Sequence, residues 1–306
     1  MSFSMNVKDE ISKIEEGRTE QIAELSAIIR NSATIDDNLK ITIENNSVAR
    51  RVFKLFKEIY DITAIITVRR RNGLNNNLIY ILTVNKGYRE VLRDLSIYDK
   101  DNNYLEIPHD YLISDIDNIR AYLRGVFMTC GSVNDPKTSR YHLEMMVDTS
   151  NYAKFLNNIL NDLNLNSKII RREKNYMIYI KEAEKISDFL RIIKSYSGVM
   201  YFEDIRIYRD HKNMTNRLNN CEQANMDKIF LTASKQLKDI DILRKNNLIE
   251  TLDSKLKEVI EYRIKYPESS LNELATIMTN ELGYNISKSG LNHRFRKIKN
   301  IVSTIK

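Results

Sequence analysis

The side chains best suited to bind another molecule lie near the C-terminal end of this 306-residue sequence. No acidic residue occurs between Ile286 and Lys306, whereas cationic, amide and hydroxyl side chains recur there at helical spacing. These side chains are Lys288, Ser289, Asn292, His293, Arg294, Arg296, Lys297 and Lys299. Lysine and arginine neutralise phosphates, and asparagine pairs with base edges. The pattern is therefore typical of a surface that binds double-stranded DNA.

A second group of cations ends a strand-like run in each half of the preceding sequence. It consists of Arg69, Arg70 and Arg71 in one half, and of Arg171 and Arg172 in the other. These arginines could give an auxiliary DNA contact through phosphates. An exposed strand end with solvated charge is the competing interpretation, and the sequence alone favours it. Whether this part of the chain touches DNA stays open.

Residues for metal binding or nucleophilic catalysis are scattered along the sequence. None of the histidines pairs with a cysteine or carboxylate at ligand spacing; they are His109, His142, His211 and His293. Cys130 and Cys221 also lack such spacing, and two isolated cysteines favour a reducing cytoplasm. Asp115 and Asp117 begin a helical pattern, where acids favour the positive helix end and capping is expected. We expect no cofactor, no metal and no catalytic residue.

Composition narrows the class of protein and of partner. The formal net charge is +7 and the pI about 9.1, which favours an anionic partner such as nucleic acid. A lysine-rich bias explains the charge equally well. No apolar run approaches the roughly 20 residues that span a bilayer, and the first ten residues are too polar for a signal peptide. We expect a cytoplasmic protein without a membrane partner. Its oligomeric state is open, with a monomer favoured.

Apolar periodicity predicts an α+β N-terminal domain made of two repeats. After an N-terminal helix within residues 1–19, residues 20–97 read as α-β-β-α-β-β-α, and the same order restarts over residues 116–205. A repeated order of elements is a stronger signal than any single element. We therefore predict one doubled domain over residues 20–209.

The helix that starts the second repeat lies in the stretch from Ile119 to Pro136 and has one buried face. That face carries Leu123, Val126, Phe127 and Cys130. Gly125 lies within the helix, where glycine costs roughly 1 kcal/mol relative to alanine, so we expect close approach to a partner helix. The equivalent stretch of the first repeat, Leu25 to Thr34, is the expected partner. We expect Gly131 to end the helix in the left-handed conformation.

The C-terminal part of the sequence predicts an all-α domain. Residues 210–248 read as a connector with a long helix from Met226 to about Lys245, followed by a helical domain over residues 249–306. Ser270 and Glu273 match a capping box, and a glycine-containing turn precedes the final basic helix. From about Ser269 to Val302 the pattern indicates a helix-turn-helix whose last helix enters the major groove. A small helical bundle with a solvated basic face is the alternative.

Three dispersed stretches resemble the WhiA family of bacterial sporulation and cell-division regulators. They are RAYLRGVFMTCGSVNDP (120–136) with the following YHLE (141–144), FSMNVKDEI (3–11) and RLNNCEQANMDK (217–228). The resemblance implies a DNA-binding transcriptional regulator of cell division, chromosome segregation or sporulation, associated with the nucleoid. It also implies an N-terminal domain similar to a LAGLIDADG homing endonuclease and a C-terminal helix-turn-helix.

In such nucleases each of two central helices ends in an acid that holds a divalent metal. Laying that motif on this sequence puts Ser32 and Cys130 at the acid positions, and neither is a good magnesium ligand. We therefore expect a catalytically inactive scaffold. An active site-specific nuclease and a protein-interaction scaffold are the alternatives. The DNA site, the direction of regulation, the protein partners and any effector are not given by the sequence.

Overall fold

The computed structural model describes residues 2–70, 78–138 and 140–305. The chain forms two compact units, Met1–Arg209 and Asp210–Lys306. Arg71 lies outside the described residues, so the structure does not test its predicted DNA contact.

The N-terminal unit begins with α1 (Phe3–Ile11) and then contains two copies of one arrangement. The first copy consists of α2 (Arg18–Ser32), β1 (Ala33–Ile35), β2 (Leu39–Ile43), α3 (Asn46–Tyr60), β3 (Ile65–Arg70), β4 (Leu78–Val84) and α4 (Tyr88–Asp94). The second consists of α5 (Ile116–Cys130), β5 (Gly131–Val133), β6 (Leu143–Val147), α6 (Ser150–Asp162), β7 (Lys168–Arg172), β8 (Asn175–Ile180) and α7 (Ala183–Ile192). The predicted repeat is therefore confirmed.

Each copy carries its own four-stranded antiparallel sheet, and the two sheets have the same topology. The strand orders are β1-β2-β4-β3 and β5-β6-β8-β7. Ile41 lies opposite Leu82 in the first sheet, and Met145 lies opposite Ile178 in the second. All four side chains are buried, so the equivalent face of each sheet contributes to the core of the unit.

The two copies meet where α2 packs against α5, and Gly125 makes that approach possible. A Cβ atom built on Gly125 would lie 2.4 Å from the carbonyl oxygen of Glu24 and 2.9 Å from Cβ of Ala27. Both distances are shorter than real Cβ contacts. The prediction that Gly125 serves close helix packing is confirmed.

A buried ion-pair network crosses the same interface. The Glu24 carboxylate accepts hydrogen bonds from Nε of Arg51 and Nε of Arg124, each at 2.6 Å. The Arg124 side chain also donates to Glu16, which in turn accepts from Nζ of Lys194 at 2.6 Å. Glu24 and Arg124 are completely buried. Each charge therefore depends on its partners, because an unpaired charge in the interior costs several kcal/mol.

Gly131 follows α5 without the left-handed conformation that we expected. Its φ is −87°, an extended backbone that any residue adopts. A Cβ at this position would lie 2.4 Å from Cδ2 of Phe127 and 2.7 Å from its Cα. The prediction was therefore wrong about conformation: glycine is required here because the chain turns back against its own helix.

The longest element is α8 (Tyr196–Lys245), a continuous helix of 50 residues. We expected the helix to start at Met226, because residues 210–225 are polar and rich in asparagine. The structure instead starts it at Tyr196, and residues 203–232 are nearly all exposed. At its start, the Glu10 carboxylate accepts from the Ser195 hydroxyl (2.6 Å) and from the backbone N–H groups of Ser197 (2.7 Å) and Gly198 (3.1 Å). Glu10 therefore fixes the N-terminal end of α8, where a negative charge is favourable.

The C-terminal unit contains the last part of α8 together with α9 (Ser254–Lys265), α10 (Leu271–Leu282) and α11 (Lys288–Ile305). The core of this unit includes Ile240, Leu243, Leu256, Leu274, Leu291 and Phe295. The end of α8 is thus part of the core of this unit. The predicted all-α C-terminal unit is confirmed.

Candidate nucleic-acid interface

The elements that present α11 have the caps that the sequence predicted. The Ser270 hydroxyl accepts from the Glu273 N–H at 3.2 Å, and the Glu273 carboxylate accepts from the Ser270 N–H at 2.7 Å, which completes the capping box. Gly283 ends α10 with a φ of +76°, a conformation that glycine adopts without strain. The Ser287 hydroxyl then accepts from the Gly290 N–H at 3.1 Å at the start of α11. The capping box therefore fixes the start of α10, and Gly283 and Ser287 fix the turn between α10 and α11.

α11 separates an apolar stripe from a polar surface. The stripe, which is buried, consists of Leu291, Phe295, Ile298 and Val302. The exposed side chains on the rest of the helix include Lys288, Ser289, Asn292, His293, Arg296, Lys297 and Lys299. At 3.6 residues per turn these positions form one continuous arc. The structure therefore brings together seven of the eight side chains that the sequence singled out; their role in binding is not tested by this placement.

Arg294 departs from the predicted exposed face. Its side chain is only 17% exposed, and Nη1 lies 3.9 Å from a carboxylate oxygen of Glu258 in α9. The Tyr284 hydroxyl donates to the same carboxylate, and this hydrogen bond raises the pKa of the Tyr284 phenol. Arg294 thus lies against α9 rather than on the exposed face of α11. Its position falls between the polar arc and the apolar stripe, where sequence spacing does not decide its direction.

Arg263 of α9 was not singled out by the sequence, but the structure buries it between the start of α10 and Phe295 of α11. It is 1% exposed, and its Nη1 donates to the backbone carbonyl of Ser269 at 2.7 Å, directly before α10. Its guanidinium also lies 5.5 Å from the centroid of the Phe295 ring. A signal was present, because Arg263 continues the apolar stripe of Val259 and Ile260 at helical spacing. Burial lowers the pKa of Arg263.

The second group of arginines lies at equivalent positions in the two sheets. Arg69 and Arg70 end β3, Arg171 and Arg172 end β7, and all four are exposed. Among the described residues, β3 pairs with β4 and β7 pairs with β8, so each lies at the end of its sheet. The predicted location at strand ends is confirmed, whereas a DNA contact there stays a prediction.

Ser32 and Cys130, at the acid positions of the nuclease motif, are the last residues of α2 and α5. The Ser32 hydroxyl donates to the Ile28 carbonyl at 2.6 Å, and the Cys130 thiol donates to the Val126 carbonyl at 3.2 Å. Burial raises the pKa of Cys130 to about 12, so its thiol is protonated at neutral pH. Both side chains therefore form a hydrogen bond within the last turn of their own helix.

A cation, Lys8, lies near Cys130. Lys8 of α1 is close enough to Cys130 and Glu44 for its charge to interact with them, and burial lowers the pKa of its ammonium. Its Nζ lies 5.8 Å from the centroid of the Phe127 ring. Within the ranges that the structure describes, no group of three or more His, Cys, Asp or Glu side chains could hold a metal ion.

Three family models match the chain in order. The WhiA N-terminal LAGLIDADG-like domain matches residues 18–98, the WhiA LAGLIDADG-like domain residues 119–212, and the WhiA C-terminal HTH domain residues 215–302. A protein of Lactiplantibacillus plantarum named "Probable cell division protein WhiA" is 41% identical over 303 residues, covering 97% of this chain and 96% of its own. The chain belongs to the WhiA family.

A second WhiA relative and a solved structure agree with this assignment. The protein of the same name from Clostridium botulinum strain Hall is 38% identical over 317 residues, covering all of this chain and 99% of its own. The crystal structure of full-length DUF199/WhiA from Thermatoga maritima covers 99% of both chains with a TM-score of 0.58 and 23% identity, which shows a shared fold. Among the helices that the structure describes, none has the length and hydropathy to cross a membrane.

Proposed function

We propose that this WhiA-family protein is a DNA-binding transcriptional regulator that acts in cell division, chromosome segregation or sporulation. The exposed arc of α11 is the observation that carries the proposal. It presents three lysines, one arginine, one histidine, one asparagine and one serine without an acidic residue. A helix of this kind fits the B-DNA major groove, which is about 12 Å wide.

Within that arc we assign two kinds of contact. Ser289 and Asn292, near the N-terminal end of α11, face base edges, and Asn292 can pair with adenine through two hydrogen bonds. Lys297 and Lys299, closer to the C-terminal end, neutralise phosphates. Lys288, His293 and Arg296 complete the surface. Arg294, held by Glu258, supports the helix from the side.

The N-terminal unit acts in this proposal as a scaffold that does not cut DNA. Ser32 and Cys130 stand where a nuclease of this fold keeps its carboxylates, and Lys8 adds positive charge beside Cys130. The relatives are named as cell-division proteins. We assign the scaffold to residues 20–209, DNA binding to residues 249–306, and the link between them to residues 210–248. In the cell, the protein acts at the nucleoid.

Genome-wide immunoprecipitation of bound DNA tests the proposal. We expect enrichment at discrete sites that is lost in an Asn292→Ala, Arg296→Ala variant whose circular dichroism spectrum is unchanged. Enrichment that is the same in the variant would contradict the assignment to α11. A plasmid cleavage assay with magnesium or manganese tests the scaffold role, and reproducible site-specific cutting would overturn it.

An auxiliary DNA contact by the two sheets is tested separately. If Arg70 and Arg172 each neutralise a phosphate, replacing them with alanine should reduce the salt slope of DNA binding by about 0.9 per arginine. An unchanged slope would assign both arginines to solvated strand ends.

A further inference from the structure

A groove in the C-terminal unit joins α8 to the N-terminal end of α10. It has a volume of about 510 Å³. The α8 wall includes Asn225, Lys228 and Thr232, and the opposite wall includes Ser270, Asn272 and Lys288. Arg263 also lines it. Lys288 thus belongs both to this groove and to the exposed arc of α11.

The groove is positively charged, and none of the described residues that line it is acidic. Neither Lys228 nor Lys288 forms an ion pair with a carboxylate in the described part of the chain. Arg263 is almost completely buried, lacks a carboxylate partner among the described residues, and its Nε has no hydrogen-bond partner there. A buried cation without a counter-ion is costly, so these charges indicate an anion as the partner of the groove.

The start of α10 adds hydrogen-bond donors at the same place. The Glu273 N–H donates to the Ser270 hydroxyl, and the Leu274 N–H donates to the Ser270 carbonyl at 2.9 Å. The backbone N–H groups of Leu271 and Asn272 donate to no residue that the structure describes. Free N–H groups at a helix start bind phosphate oxygens well.

The position of α8 beside α11 identifies the source of the phosphate. A second groove is lined by Thr232, Lys235 and Asp239 of α8 and by Asn292 and Arg296 of α11. α8 therefore runs alongside the helix that we assign to the major groove. The major groove of DNA admits one helix, and the two sugar-phosphate backbones border it. Because α8 shares this second groove with Asn292 and Arg296 of the exposed arc, we infer that it lies toward one of these backbones.

We propose that the groove between α8 and the start of α10 binds a backbone phosphate of duplex DNA, with Lys228 as its cation and the Leu271 and Asn272 N–H groups as donors. This inference rests on the proposed function and extends it, because α8 becomes part of the DNA-binding surface. The last turn of the stretch from Arg217 to Lys228 would then contact DNA through Lys228. The WhiA C-terminal HTH model, which matches from residue 215 onward, includes this part of α8.

The test is the salt dependence of binding to a mixed-sequence duplex of about 30 base pairs, roughly three helical turns. Fluorescence anisotropy with the full chain gives the affinity at each salt concentration. Lys228→Ala should reduce the slope of log K against log salt by about 0.9, which makes binding about eight-fold weaker at 0.1 M salt. Lys228→Arg should keep the wild-type slope. Asn225→Ala, which removes a neutral group, should weaken binding without changing the slope.

Lys212→Ala is the matched control. Lys212 is an exposed lysine on the same helix, roughly 24 Å from Lys228 at 1.5 Å per residue, and does not line the groove. We expect it to bind with the wild-type slope. Each variant should keep the wild-type circular dichroism spectrum, because the side chains changed are exposed.

The outcomes separate this inference from the function on which it rests. If Lys228→Ala keeps the wild-type slope and affinity while Arg296→Ala weakens binding, the groove does not hold a phosphate and α11 still binds DNA. If Lys212→Ala lowers the slope as much as Lys228→Ala, the effect is one of net charge and the inference is again wrong. If the wild-type chain does not bind the duplex, the proposed function fails as well.

Discussion

Replacing Gly125 with alanine should destabilise the N-terminal unit, although the same change stabilises an ordinary helix. In a helix interior, alanine is favoured over glycine by roughly 1 kcal/mol. Here the added Cβ would lie 2.4 Å from the Glu24 carbonyl oxygen, and backbone cannot move aside as a flexible side chain does. Relieving that overlap requires α5 to move away from α2 by about 1 Å, to reach ordinary van der Waals distances.

The size of the effect follows from two opposing terms. Overpacking a well-packed interior costs about 1 to 3 kcal/mol and occasionally more; the clash with Glu24 backbone puts Gly125→Ala at the upper end. Subtracting the roughly 1 kcal/mol helix gain leaves a net destabilisation of about 2 kcal/mol. For a unit of this size, that lowers the melting temperature by roughly 4 to 8 °C. The movement would also stretch the buried pair between Arg124 and Glu24.

Differential scanning calorimetry of the full chain measures this change. Gly290→Ala is the control, because Gly290 also lies in a helix but its added Cβ would meet only the Ser287 hydroxyl, at 3.3 Å. We expect Gly290→Ala to leave the transition of the N-terminal unit in place. A melting temperature of that unit that is unchanged or raised by Gly125→Ala would refute the close-packing argument.

Three further predictions concern buried groups of the N-terminal unit. Glu24→Gln should lower the free energy of unfolding by about 3–5 kcal/mol in urea titrations, whereas the exposed Glu15→Gln should change it little; equal effects would contradict the role of burial. Cys130, which is half-buried and whose pKa is raised to about 12, should react with a thiol reagent at pH 8 far more slowly than the exposed Cys221, and equal rates would contradict the raised pKa. Burial opposes ionisation of Glu16, but hydrogen bonds from Arg124 and Lys194 outweigh it and lower the pKa. Its stabilisation is therefore present above the ordinary value near 4.5 and lost as pH falls through the folded value. Glu16→Gln should flatten the fall in melting temperature below pH 4.5, and an unchanged profile would contradict this assignment.

The elements of the N-terminal unit could be predicted from the sequence because their apolar periodicity is strong and is repeated. The order of seven elements per copy and the capping box at Ser270 follow from local patterns, and the partner of Gly125 follows from the repeat. The continuity of α8 could not be predicted in the same way. Between residues 203 and 232 its side chains are nearly all exposed, so no apolar stripe distinguishes helix from a polar connection.

Contacts between particular side chains that are distant in sequence could also not be predicted. Glu24 and Arg124 are 100 positions apart, and nothing in either neighbourhood indicates that they form a buried pair. The direction of Arg294 depends on Glu258 in another helix. Gly131 was misjudged because a glycine after a helix usually adopts a positive φ, whereas here the constraint is the space beside Phe127. In each case the deciding neighbour is distant in sequence or set by a particular backbone path.

The pair between Glu24 and Arg124 has a consequence for dissecting this protein. Each copy supplies one of the two charges, and both are completely out of water. The second copy expressed alone would lose both carboxylate partners of Arg124, Glu24 and Glu16, together with the cover that α2 gives to α5. The first copy would keep Arg51 beside Glu24 but would lose the cover that α5 gives to α2. The two copies therefore share one order of elements, but neither is stable without the helix that the other packs against it. A truncation between them reports the unfolding of both copies, and mapping by deletion would assign to either copy activities that belong to the intact pair.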